Sequence, residues 1–158
     1  MKKVPVRVFR YPFVFPPEAE DENRHVNNIE YVRRLQEAAI AHTRQNGWAP
    51  EELHDRGWTW VVRSHFIEYL QPCRAGEEIA IDTWVANFKK IRSLRKYRFV
   101  RVADGAVLAD AQTDWVFLDF RRNRPMAIPP AVLAAYVVVP EEKEMNIQSP
   151  TPNIQPTK

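Results

Sequence analysis

Residues 28–46 are the one long segment of this chain with a helical period, and most of the chain beyond them reads as strand. Tyr31, Leu35, Ala38, Ala39 and His42 stand at i, i+4, i+7, i+8 and i+11, one face of a helix. Asn27 or Asn28 suits the N-cap, because an Asn oxygen can accept from the free amides of a first turn. Glu30 stands at the positive end of the helix dipole, and Asn46-Gly47 closes the segment as glycine beyond a helix end does. Residues 50–57 predict a second, short helix with Pro50 at its first position and Gly57 past its end.

Strand patterns surround these helices. Residues 4–15, rich in Val and Phe, predict a strand whose Pro12 requires an edge or a bulge. Residues 58–70, 77–88, 93–102 and 106–120 predict four more, with Asp104-Gly105 as a hairpin signal. Ile79, Ile81, Thr83 and Val85 share one face. So do Val107, Ala109, Ala111, Thr113, Trp115 and Phe117, opposite Asp110, Gln112 and Asp114. One long helix among about five antiparallel strands predicts an α+β domain. A single helix covers one face of such a sheet, so the other face or an edge calls for a second copy. A homodimer or homotetramer is expected.

At 158 residues the chain suits one domain, expected over residues 1–139. Residues 140–158 carry four prolines, little apolar content and no periodicity, so a disordered tail is expected there. Cys73 is the sole cysteine, which excludes an intrachain disulfide and gives no sign of an oxidising compartment. The apolar stretch after Met1-Lys2-Lys3 is broken by Arg7 and Arg10, unlike a signal peptide, and no run reaches the ~20 apolar residues of a membrane span. A cytoplasmic protein without a membrane partner is expected. The net charge of +3 is unevenly spread: residues 87–101 and 121–124 hold ten of the 23 basic side chains, leaving the remainder acidic. That concentration predicts a local anionic partner.

The stretch Asp21-Glu22-Asn23-Arg24-His25-Val26-Asn27-Asn28 sets a carboxylate, an amide and an imidazole at alternate positions before the helix. Acyl-transfer chemistry needs a group that attacks or activates water, and donors for the charge that develops on the carbonyl oxygen. A carboxylate supplies the first. Free amides at a helix start, with the dipole's charge of about +0.5, supply the second. Spacing alone is equally compatible with a loop and a cap.

The pattern DxNxHVNNxxY leading into a helix resembles the signature of hotdog-fold thioesterases, both the acyl-CoA enzymes related to 4-hydroxybenzoyl-CoA thioesterase and the acyl-ACP thioesterases of plants. Glu68-Tyr69-x-x-Pro72 with Gly76-Glu77, Asp104-Gly105 with residues 109–113, and Arg124-Pro125 to Pro129 extend the resemblance over about residues 6–130. It implies an antiparallel sheet wrapped around one central helix, paired with a second copy, and an acyl-CoA thioester as substrate. Asp21 matches the catalytic carboxylate, and the amide of Asn28 matches the donor that polarises the carbonyl. Asn23 would position water or the carbonyl. His25 would orient Asp21 or protonate the leaving thiolate, and Tyr31 would contact substrate. Lys89, Lys90 and Arg92, before Ser93, match residues that bind the nucleotide phosphates of coenzyme A, with Arg122 and Arg124 as the second set. Two departures stand out: Arg24 replaces a glycine frequent in bacterial members, and Pro72 replaces a glutamate of the acyl-ACP enzymes, which favours CoA.

No metal motif or glycine-rich phosphate loop is present, so no cofactor is expected beyond coenzyme A as part of the substrate. Cys73 reads as a buried or turn thiol. His42 and Asp114 are candidates for the wall of an acyl pocket. Two other readings stay open. In one, the basic patch docks an acyl carrier protein. In the other, a non-catalytic module binds a ligand or nucleic acid through residues 89–101, with Tyr97 and Phe99 stacking on bases; no base-recognition motif supports a nucleic-acid partner.

Overall fold

A computed structural model of the chain describes residues 7–140. Its elements run β1 (Phe9–Val14), α1 (Asn28–Gln45), α2 (Pro50–Asp55), β2 (Trp58–Tyr69), β3 (Glu78–Phe88), β4 (Arg92–Arg101), β5 (Val107–Asp119), β6 (Arg124–Pro125) and α3 (Pro130–Leu133). The strands form one antiparallel sheet in the order β1-β3-β4-β5-β2, with the two-residue β6 added beside β5. This is the hotdog fold. Six strands are therefore present where about five were expected, because β6 is too short to leave a periodic pattern. Strand β1 begins at Phe9, and the first residues assigned to it lie outside the described residues, as does the expected tail from residue 141.

Each long element forms for a legible reason. Asn27, in extended backbone, caps α1 by accepting from the amide of Ile29 at 2.9 Å. Tyr31, Leu35, Ala38, Ala39 and His42 all turn inward, as their spacing requires. On β3, Ile79, Ile81, Thr83 and Val85 are buried, and on β5 so are Ala109, Ala111, Thr113 and Phe117. Burying a Leu or Ile side chain contributes roughly 1.5–3 kcal/mol, so this inward face against α1 accounts for much of the fold's stability. Pro12 sits on β1, an edge strand, where proline is tolerated because only one side of the strand carries ladder bonds.

The core divides in two along α1. One cluster surrounds the first half of the helix and includes Phe15, Tyr31, Leu35, Ile79, Ile81 and Phe99. The other joins Leu53, Phe117, Ile128 and Val132, with Trp48, Trp58, Trp60, Phe88 and Tyr136 against them. Strand alternation splits the basic run of β4 between the two sides of the sheet. Ser93, Arg95, Tyr97 and Phe99 point inward and are buried; Arg92 and Arg98 point outward. Tyr97 and Phe99 are 1% and 0% exposed, which removes them as stacking platforms for bases.

Candidate active site

The loop before α1 is tied down on both sides. The Val26 amide donates to Cys73 O at 3.0 Å and the Asn27 amide to Ala19 O at 2.9 Å. Glu20 accepts from the Ala75 amide at 2.8 Å and from Arg74 Nε at 3.1 Å, and these bonds hold its carboxylate below its usual pKa. Between these anchors the chain makes a tight turn. The Asp21 amide donates to His25 O and the Arg24 amide to Asp21 O, both at 2.9 Å, and Arg24 adopts a left-handed φ of 64°. A glycine enters that conformation without a Cβ clash, whereas Arg24 adopts it with one.

Asp21 lines a cleft of about 310 Å³ with Asn23, His25, Asn28, Tyr31, Tyr69 and Pro72. Its Oδ1 accepts from the Asn23 amide at 2.9 Å, and its Oδ2 has no hydrogen-bond partner among the described residues. Asn27 takes the amides of Ile29 and Glu30, through its side chain and its carbonyl, so the Asn28 amide is left without an acceptor among the described residues. A half-buried carboxylate and an unpaired amide at the positive end of an 18-residue helix thus share one cleft. The side chains of Asn23 and His25 are exposed at its rim, and no side-chain hydrogen bond joins the His25 imidazole to the Asp21 carboxylate.

Tyr31 forms the floor. It is 2% exposed, its ring packs against Phe15 and Phe99, and its hydroxyl lies 3.3 Å from Cys73 Sγ. Burial raises the pKa of the Tyr31 phenol and of the Cys73 thiol, so both stay protonated at neutral pH and Cys73 is no nucleophile. Tyr69 closes the side of the cleft, edge-on to Tyr31 at 5.1 Å, with its hydroxyl 3.4 Å from Asn28 O.

The predicted phosphate-binding residues lie elsewhere. Lys89 and Lys90 form the exposed β3–β4 turn, Arg92 follows it, the β5–β6 turn carries Arg122, and Arg124 opens β6. Ile128 bonds to Lys90 O at 2.9 Å, which brings the two turns to the same end of the sheet. The Asp21 cleft is at the other end, where Leu108 O accepts from the amides of Leu70 and Gln71. From Leu108 to Val116, the partner of Arg92, β5 covers ~26 Å at about 3.3 Å per residue. Arg92 pairs with Asp114 and Arg122 with Asp119. Asp114 faces outward to pair with Arg92 and does not line the apolar pocket between the core clusters, unlike the pocket-wall place for which it was a candidate. Its alternate position to the inward Thr113 is the reason.

Two polar groups on the inner face carry no motif. His65 on β2 bonds Thr113 Oγ1 at 2.8 Å, and burial lowers its pKa. Arg95 is buried among the core residues of β4. The alternation of β4 could have marked Arg95 as inward-facing; its membership of a basic run hid it.

A sheet of this order around one helix, with a carboxylate loop feeding the helix start, defines the class. Residues 15–136 match the family model described as thioesterase-like superfamily, and the chain belongs to that family of thioester hydrolases. Among its relatives, the acyl-CoA thioester hydrolase YbgC of Escherichia coli is 24% identical over 129 residues, covering 82% of this chain and 96% of that protein. The chloroplastic palmitoyl-acyl carrier protein thioesterase of Cuphea hookeriana is 24% identical over 131 residues, covering 79% of this chain and 32% of that protein. In fold, the chain superposes on the 1,4-dihydroxy-2-naphthoyl-CoA thioesterase Slr0204 from Synechocystis with a TM-score of 0.75 at 16% identity, covering 81% and 94% of the two chains.

Proposed function

We propose that the chain hydrolyses an acyl-CoA thioester to a free acid and coenzyme A at the Asp21 cleft. The observation that carries this reading is the juxtaposition of the free Asp21 Oδ2 with the unpaired Asn28 amide at the start of α1. The amide donates to the carbonyl oxygen and stabilises the charge that grows on it; such a donor is worth about 2.7–4 kcal/mol of barrier. Asp21 attacks the carbonyl carbon directly or takes a proton from a water that attacks it. The C–S bond then breaks, and the thiolate leaves with a proton that the exposed His25 can deliver; on the direct route a water then hydrolyses the acyl–Asp21 anhydride, which releases the free acid and restores the carboxylate.

A second copy completes this reading. Strand β2 is an edge whose outer amides and carbonyls have no strand neighbour among the described residues, and Val61 and Phe66 on it are exposed. Antiparallel pairing of β2 with its symmetry mate reverses the strand. The basic end, beside Trp58, then meets the Tyr69 end of the other protomer. Arg122 and Arg124 of the partner subunit, with the Lys89–Arg92 turn, would thereby approach the Asp21 cleft and supply cations for the nucleotide phosphates. In a single chain, the ~26 Å between the two ends keeps them apart.

Coenzyme A is favoured over an acyl carrier protein as the acyl donor by Pro72, which lines the cleft where a carboxylate would complete the alternative machinery. Asp21→Asn should lower kcat at least ~100-fold with an unchanged melting temperature. Near-normal turnover by that variant would overturn the assignment. Parallel assays with acyl-CoA and acyl-ACP of matched chain length separate the two carriers.

A further inference from the structure

Away from the Asp21 cleft, between the two core clusters, lies a cavity of about 410 Å³, within the size range of small-ligand pockets. Its wall is mainly apolar and includes Ile40 of α1, Leu53 of α2, and Val62, Val85 and Phe88 of the sheet. Set into that wall is Arg95, 5% exposed. Its Nη1 donates to His42 Nδ1 at 3.0 Å and to Thr83 Oγ1 at 3.1 Å. Its Nε and Nη2 have no acceptor, and no carboxylate pairs with it, among the described residues.

The groups around this guanidinium are neutral. Burial, then the charge of Arg95, push His42 down to about 3, so its imidazole is uncharged at neutral pH. Burial raises the phenols of Tyr97 and Tyr136, whose pKa values Arg95 pulls the other way, and both stay protonated. Two other arginines of β4 make the contrast. Arg92 and Arg98 face outward, and Asp114 and Asp110 pair with them. Strand β4 therefore pairs its cations where water already screens them and leaves the buried one unpaired. A buried cation without a counter-charge is costly, and this one lines a mainly apolar, half-open pocket of ligand size.

We propose that this cavity receives the acyl part of the substrate, and that the acyl group ends in a carboxylate held by Arg95. The substrate class is thus the CoA monothioester of a dicarboxylic acid. This inference rests on the thioester-hydrolase reading of the Asp21 cleft. Along α1, Gln36 in the cavity wall is ~12 Å from Asn28 and His42, behind Arg95, ~21 Å, at about 1.5 Å per residue. The carbonyl and the distal carboxylate would thus lie at opposite ends of α1. The guanidinium suits this ligand because its planar fork can give two parallel hydrogen bonds to one carboxylate.

The test uses the full chain and pairs of acyl-CoA substrates of equal length, one ending in methyl and the other in carboxylate, over a chain-length series. The wild type should prefer the carboxylate-ended member by at least ~10-fold in kcat/KM at its best length. Arg95→Met should abolish that preference and Arg95→Lys retain part of it. The preference is a ratio within one preparation, so a variant that folds incompletely still reports it. Equal rates or a methyl preference in the wild type would overturn the inference and leave the hydrolase assignment standing. If no thioester is cleaved, thermal stabilisation of the wild type, but not of Arg95→Met, by the free dicarboxylic acids would support the chamber and overturn the assignment. Neither turnover nor stabilisation would overturn both.

Discussion

The two ends of α1 treat polar groups in opposite ways. At its start, Asp21, Asn23, His25 and Asn28 are exposed or half-buried on a loop held by backbone bonds to Ala19 and Cys73. Near its end, His42, Thr83 and Arg95 are almost wholly buried and bonded to one another. Groups that meet water and a reactive carbon can be changed with little cost to folding. Groups locked into the core couple recognition to stability. On the function proposed above, the first end serves chemistry and the second shape and charge selection, and the two should respond differently to pH, salt and substitution.

The largest expected contrast is with acid. His42 has its folded pKa lowered to about 3 from an ordinary 6.5, so the unfolded chain binds a proton that the folded chain refuses. Stability is then full above about pH 6.5 and falls as pH drops toward 3, at up to ~1.4 kcal/mol per pH unit. Urea titrations at pH 7.5 and 5 should differ by up to ~2 kcal/mol through this group. His65, lowered in the same direction, adds to the fall. His42→Gln should flatten the dependence, and an equally steep profile in that variant would break the contrast.

The basic end gives the next effect. Replacing Lys89 and Lys90 together by alanine should raise KM for acyl-CoA about 10-fold with kcat nearly unchanged, since phosphate contacts bind ground and transition states alike. The wild type's KM should rise with salt, and the double variant's should rise less. A fall in kcat with KM unchanged would remove these residues from phosphate binding.

The smallest effect comes from the cap. Asn27→Ala removes the acceptor for the Ile29 amide and should cost about 1 kcal/mol of stability by denaturant titration. Because the same turn aims the Asn28 amide, kcat should fall as well. Lost stability with kcat intact would show that the amide's position does not depend on the cap.

Much of this molecule is readable along the chain, because helix and strand periods and turn residues are local. The face of α1, the inward row of β3, the edge position of Pro12 and the loop that carries Asp21 all follow from neighbours a few residues apart. Tertiary structure alone decided three things. It turned Tyr97 and Phe99 into core, it put the Lys89 turn at the far end of the sheet from Asp21, and it left Arg95 as an unpaired cation facing a cavity. A strand's alternation says that Arg92 and Arg95 lie on opposite faces, but not which face the helix covers. Nor does it say which acids the neighbouring strand will offer. Those depend on register and packing across residues distant in sequence, such as Arg92 with Asp114, and Arg95 with His42.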